Sequence, residues 1–334
     1  MRAMATARKT STRGALLALL VPFALIASCA LAFDAAAQPG SSGRGCTGEY
    51  GWPVKPFDHP HPIRGGFGDP RTVFKGEPSQ ESMLAGDGSF SFHQGLDISA
   101  PDRSPVYAIS SGTVVRARGG RVTVDCGNGR SFQYWHIDPV ARVGQHAVAG
   151  ETLLGFVQLK REHVHLTHLQ NGRAVNPLTA NRLTPYRDTT VPEVLAITVR
   201  QAGHFATFAT EAVDTPSLSV PGRWHGFPIT PALVMWRIED SSGRSIVARC
   251  ARDVRRTVPA NDHFWGTFAR GTHQNWPVFA GRKQRGMTGR YLFKLNTRPF
   301  DTRALGEGNY VVVVVARDSA GNRDVRRHEF SVAA

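Results

Sequence analysis

The chain has 334 residues, 41% of them hydrophobic, with 40 Lys and Arg against 26 Asp and Glu and a formal net charge of +14. That length suits about two domains of roughly 150 residues each, and the apolar content is ordinary for a soluble globular protein. The basic excess favours polyanionic partners such as nucleic acid, anionic lipid or cell-wall polymers. A nucleic-acid partner is not expected, because the chain holds neither a paired-cysteine finger nor a basic zipper.

Residues 1–37 read as an export signal. Arg2, Arg8, Lys9 and Arg13 form a basic start, residues 14–32 are apolar and uncharged, and small residues follow at Ala30-Leu31-Ala32 and Ala35-Ala36-Ala37. Ile26-Ala27-Ser28-Cys29 also fits a lipoprotein signal, which would put a lipid anchor on Cys29. The expected location is therefore the periplasm, cell envelope or exterior. Loss of this segment removes four basic residues and Asp34, so the remainder stays basic. Export permits a disulfide among Cys46, Cys126 and Cys250. Cys46–Cys126 is the preferred pairing, since it would tie the N-terminal segment to a predicted strand.

Residues 38–51 read as a Gly/Ser-rich linker. From 52 to 187 the chain shows short strand-like runs: Val106–Ile109, Thr113–Ala117, Val122–Val124 and Phe132–Trp135. Gly119-Gly120 and Gly127-Asn128-Gly129 punctuate them as hairpin turns. This half is predicted to be an antiparallel β domain. Residues 191–334 are predicted to be a second domain, a β-sandwich with strands at Val194–Val199, Leu233–Ile238, Ser245–Ala248, Tyr291–Leu295, Tyr310–Ala316 and Arg327–Val332. The run Gly308–Asn322 resembles the last hairpin of bacterial immunoglobulin-like domains. The stretch 255–290 is long for one sandwich loop and holds His263, Trp265, His273 and Trp276; it reads as an elaborated cover for the core rather than a binding insertion. The fold class is all-β, and no feature sets an oligomeric state.

Three clusters carry chemistry: His93-Gln94-Gly95-Leu96-Asp97, Tyr134-Trp135-His136 and His163-Val164-His165. They offer three good zinc ligands and two further imidazoles, the inventory of a hydrolytic zinc site. On a straight strand His93 and Asp97 would stand about 13 Å apart. The chain must bend between them, and Gly95 tolerates unusual backbone angles. His163 and His165 share one face of a strand, so one could bind metal and the other lie beside the water; spacing does not say which. His136 ends the aromatic strand and could approach from a neighbour. With 13 histidines in the chain, chance pairs are common. His59-Pro60-His61, His146 and His168 read as surface residues.

The clusters and their setting resemble the lysostaphin/LytM-type zinc metallopeptidases, which act on cell-wall peptide bridges. The resemblance covers about residues 52–180. It rests on Gly65–Arg71 as the opening turn, His93–Pro101 as the ligand motif, Pro105–Ala108 with Gly112–Val114, Tyr134–Ile137, the turn segments from Val143 to Gly155, His163–Leu166, and Asn176-Pro177. The resemblance implies that His93, Asp97 and His165 hold Zn2+. It implies that His136 and His163 orient or deprotonate water and stabilise the oxyanion. One departure affects substrate choice: the family's Gly/Ser/Thr-rich loop before the His-x-His strand is replaced by the short charged run 155–162.

The expected function is an exported zinc metalloendopeptidase acting on peptidoglycan peptides, with anionic wall polymers as further partners. Two rivals stand beside it: a secreted zinc protease acting on proteins, and a non-catalytic activator of other wall hydrolases. The intact ligand set argues against the latter.

Overall fold

The computed structural model describes residues 48–333. The predicted export signal, Cys29 and Cys46 lie outside them. Cys126 sits half-buried on Arg121–Gly127 and Cys250 is exposed on Ser245–Asp253.

The described residues are almost all strand and turn, and the predicted all-β, antiparallel class holds. The largest sheet has eight strands. Its order is Ile63–Gly65, Leu96–Ser99, His163–Gln170, Arg130–Trp135, Arg121–Gly127, Gly112–Arg118 and His146–Ala147, with Arg173–Val175 also paired to His163–Gln170. Every pairing in it is antiparallel. The two predicted glycine turns close its central hairpins. Alternation drives the layering, because successive side chains on a strand face opposite ways. Leu96, Ile98, Val122, Val124, Phe132, Tyr134, Val164 and Leu166 all turn to one face and are fully buried. A small sheet of Pro105–Tyr107, Leu153–Val157 and Ile137–Pro139 completes this half.

Toward the C-terminus two four-stranded sheets enclose a second core. One contains Glu193–Ala202, Phe205–Val213, Leu292–Lys294 and Phe300–Asp301; the other contains Ser245–Asp253, Leu233–Glu239, Gly308–Arg317 and Arg323–Val332. Tyr310, Val312, Val314 and Ala316 point inward from the valine-rich strand to meet Phe208, Trp236 and Phe330.

The halves interlock. Val278–Phe279 pairs in parallel with Pro70–Phe74, which in turn pairs with Gly88–Phe92. Phe92 packs in the second core against Phe264 and Phe268, whereas Ala232 and Val254 pack in the first. The 255–290 stretch therefore does cover core, as its length and aromatics suggested.

A buried polar chain crosses the same junction. Arg252, 3% exposed, donates to Gly68 O at 3.1 Å and to Thr230 Oγ1 at 2.8 Å. Thr230 donates from Oγ1 (2.7 Å) and from its backbone N–H (2.9 Å) to Asp69 Oδ1. Asp69 Oδ2 accepts from Gly66 N–H at 2.7 Å. Thr230→Val keeps the shape but strips the hydroxyl from this chain. It is expected to cost about 1–3 kcal/mol in urea unfolding, the price of leaving buried polar groups short of a partner; an unchanged midpoint would show that the chain does not hold the halves together.

Candidate metal centre

Strand alternation places two of the predicted ligands. In Leu96–Ser99 the core takes Leu96 and Ile98, and Asp97 faces the other way. In His163–Gln170 the core takes Val164 and Leu166, which leaves His163, His165 and Thr167 on the opposite face. Pairing sets His165 across from Asp97 on one side and from Trp135 on the other. His93 arrives just after Gly88–Phe92, and Gln94-Gly95 turns the chain back into the sheet. A Cβ on Gly95 would lie 2.3 Å from Leu166 O and 2.8 Å from His165 Nε2. Gly95 is thus demanded by close approach to the neighbouring strand, not by a left-handed backbone.

Three acceptor atoms meet at one point. His93 Nε2 lies 3.1 Å and His165 Nδ1 3.0 Å from Asp97 Oδ1, and the two nitrogens are 2.8 Å apart. The outer partner of His93 settles where that ring's proton is. His93 Nδ1 is 2.7 Å from Gly66 O, and a carbonyl only accepts, so Nδ1 carries the hydrogen and Nε2 a lone pair. His165 Nε2 lies 2.8 Å from Thr167 Oγ1, a hydroxyl that can donate or accept; in the tautomer with the ring proton on Nε2, Nδ1 offers its lone pair inward. In that tautomer three lone-pair atoms lie this close with no hydrogen between them, and they repel unless a cation sits among them. A tetrahedral ion with bonds of about 2.0–2.1 Å spaces its ligands by roughly 3.3 Å, so small outward shifts suffice. The donor set, two imidazoles and a carboxylate, suits zinc.

The surroundings tune these groups. Arg71 Nη2 donates to Asp97 Oδ2 at 2.7 Å. Burial alone would raise the Asp97 carboxyl, but His93 and Arg71 outweigh it and hold it well below the usual range. Burial, helped by Arg71, lowers His93 to about 4. Burial also lowers His136 to about 4 and puts His163 well below its ordinary value. These imidazoles are therefore neutral at pH 7 and keep their lone pairs.

The structure brings all five predicted residues together. His163 donates from Nδ1 to Arg161 O at 2.6 Å, which turns its Nε2 toward Asp97, 3.5 Å away. The His136 and His163 rings stand 4.7 Å apart. His136 has φ 62, unusual for a non-glycine residue. It is the single residue between Arg130–Trp135 and Ile137–Pro139, which belong to different sheets. The left-handed step that redirects the chain is what swings the ring over the site. His59 and His146 are exposed as expected. His168 is not: it is 3% exposed and takes part in a 3.1 Å hydrogen bond with the Tyr50 hydroxyl. The reason is the same alternation, which puts residue 168 on the face of Val164 and Leu166.

Several neighbours escaped sequence reasoning. Thr167 continues the 163, 165 spacing, so a signal for it existed. Arg71 lies within the opening turn but its partner is 26 residues away. Trp224 and Trp276 stack at 4.3 Å and line a groove of about 680 Å³ above the site. The Arg64 guanidinium lies 4.1 Å over Trp224, and Arg223 lies 5.0 Å over Trp276. Lys160, Arg161 and Lys283 add positive charge to the same groove. The 255–290 stretch thus borders the site as well as covering core. The departing run before His163 forms a tight turn: Asp102 accepts from the backbone N–H groups of Lys160, Arg161 and Glu162 at 2.6–3.2 Å.

Residues 91–177, which contain all five, match Peptidase family M23. Peptidases of that family are zinc-dependent. No curated protein matches the chain. Among solved structures, a zinc-containing peptidase from Vibrio cholerae is 22% identical over 39% of each chain, with a TM-score of 0.31. A putative M23 peptidase from Pseudomonas aeruginosa is 21% identical over 42% of this chain and 53% of its own, with a TM-score of 0.28. The deep-sea M23 metalloprotease pseudoalterin is 18% identical over 44% of this chain and 84% of its own, also at 0.28. The chain thus spans well under half the length of the Vibrio protein, and its match to Peptidase family M23 is confined to residues 91–177.

Thr167→Val removes the partner of His165 Nε2. Zinc affinity, read by competition with a chromophoric chelator, is expected to fall about 10–100-fold with the fold retained. Unchanged affinity would mean that Thr167 does not orient the ligand.

Proposed function

We propose that the protein is an exported zinc metalloendopeptidase that hydrolyses peptide bonds in peptidoglycan. The observation that carries the reading is the convergence of three potential ligand atoms, from His93, His165 and Asp97, on one point beside the rings of His136 and His163. Held there, zinc would supply Lewis acidity, polarising a scissile carbonyl and acidifying water.

The chain's own groups would do the rest. His136 and His163 are neutral at pH 7 because burial disfavours their charged forms. Each can therefore accept a proton from the attacking water and, once protonated, hold the developing oxyanion or pass the proton to the leaving amine. His163 keeps its Nε2 toward the site because Arg161 O anchors the other nitrogen. Arg71 holds Asp97 ionised and fixed.

The substrate assignment draws on the groove. Its basic side chains and stacked tryptophans suit an extended peptide bearing carboxylates, as wall peptides do. The net charge of +14 suits retention on anionic wall polymers. Export rests on the signal-like residues 1–37, and the final hairpin sequence supports an immunoglobulin-like sandwich that positions the enzyme. The short turn at 158–162 favours a second reading, a protease for protein substrates, because it departs from the loop that lines the family's substrate groove.

Metal content and hydrolysis of purified peptidoglycan, measured on residues 38–334 and on His165→Ala, test the proposal. A single zinc per chain and release of wall peptides are expected, both lost in the variant and with a chelator. Zinc without wall cleavage, but with cleavage of a protein substrate, would move the assignment to the second reading; zinc with neither would point to a non-catalytic activator. His136→Ala separates binding from turnover. It should keep its zinc while kcat falls about 10²–10⁴-fold, the usual contribution of a positioned acid or base.

A further inference from the structure

A second cluster of charged groups lies away from the groove. Asp188, Asp214 and Asp318 are 6%, 4% and 1% exposed, and one carboxylate oxygen from each falls within 4.8 Å of the others. They come from three places in the chain. Asp188 lies in the segment that leads into the C-terminal sandwich, Asp214 follows Phe205–Val213, and Asp318 follows Gly308–Arg317.

Their hydrogen-bond donors are all neutral. Asp188 accepts from Thr190 N–H, Thr190 Oγ1, Ser217 N–H and the Tyr186 hydroxyl. Asp318 accepts from Gly321 N–H at 2.6 Å and Asn322 Nδ2 at 2.7 Å. Asp214 Oδ1 is buried with no hydrogen-bond partner among the described residues. None of the three carboxylates enters an ion pair among those residues; the charges acting most strongly on Asp214 are other carboxylates, Asp188 first. Burying unpaired like charges is costly. Two remedies exist, shared protons or a bound cation, and a buried oxygen without a hydrogen-bond partner in a cluster of three carboxylates is what a cation would fill.

The donor chemistry selects the ion. The cluster offers only carboxylate oxygens, with no imidazole or thiolate, which suits a hard cation. Magnesium prefers to keep several waters in a near-octahedral shell, and so deeply buried a cluster leaves them little room. Calcium accepts six to eight oxygens in irregular geometry, including carbonyls of turns. We infer that Asp188, Asp214 and Asp318 form a calcium site that fastens the segment between the two halves to the ends of two sandwich strands. Asn322 already spans the same junction, donating to Asp188 O at 3.0 Å and to Asp318 Oδ2.

The test is calorimetric titration of calcium-depleted protein with calcium chloride, paired with thermal unfolding. Uptake of a single calcium per chain is expected. At a 100-fold excess over Kd, Tm should rise by roughly 5–10 °C, and magnesium at the same concentration should do less. Asp214→Asn should remove the uptake and the shift, while unfolding at a Tm no lower than the calcium-free parent because one buried charge is gone. His165→Ala, which lacks the zinc site, should keep both. No uptake and no shift at about 10 mM calcium, far above the range of weak extracellular sites, would overturn the inference in favour of shared protons. A calcium response that survives Asp214→Asn but disappears in His165→Ala would overturn it by placing the ion at the histidine site.

Discussion

The placement of His93 depends on a carboxylate that no catalytic reading would pick. Asp69 is 2% exposed, and each of its oxygens holds a different part of the molecule: Oδ1 takes Thr230, Oδ2 takes Gly66 N–H. Gly66 O then accepts from His93 Nδ1, and Asp69 O accepts from His93 N–H at 2.8 Å. The proton on the first ligand is therefore assigned by a turn that Arg252 and Thr230 brace from the other half of the chain. Gly68 shows how tight the brace is. It has φ +84, and a Cβ there would stand 2.7 Å from Arg252 Nη2. The glycine-rich opening turn is written around a buried arginine more than 180 residues away.

What could be read in the sequence, and what could not, divides by range. Features set by alternation within one strand were legible: Asp97 opposite the core face of Leu96 and Ile98, His163 and His165 sharing a face, the glycine turns of the central hairpins. His168 follows the same rule against its polarity, taking a core place beside Val164 and Leu166. It is buried with its Nε2 unpartnered, and burial takes it down to about 3, so it stays neutral in the core. Gly95 was correctly singled out for an incomplete reason. The bend was inferable from the ligand spacing, but the backbone it must clear, Leu166 O, belongs to a strand 71 residues later. Long-range pairings such as Arg71 with Asp97, or Val278–Phe279 with Pro70–Phe74, leave no periodic trace in either partner.

The chemistry of the groove follows from the same interlocking. The candidate ligands and the two further histidines all come from the eight-stranded sheet and its flanks, but the aromatic wall does not. Trp224 and Arg223 lie on the segment between Asp214 and Ile229, and Trp276 lies just before the shared strand Val278–Phe279. Glu162, in the turn that replaces the expected loop, pairs with Arg223 at 2.7 Å. Both partners are about two-fifths exposed, so the pair adds little stability in water. Its effect is geometric: it links the turn before the His-x-His strand to the aromatic wall across from it.

That wall segment is held at both ends by buried carboxylates. It leaves the sandwich at Asp214, a member of the proposed calcium site, and returns at Ile229-Thr230, where Thr230 meets Asp69. Its ends are closed on each other by paired hydrogen bonds, Asp214 N–H to Ile229 O at 2.9 Å and Ile229 N–H to Asp214 O at 2.7 Å. A loop closed in this way is compact, and its middle residues include Arg223 and Trp224. The C-terminal half thus contributes two tryptophans and an arginine to the groove above the candidate metal centre.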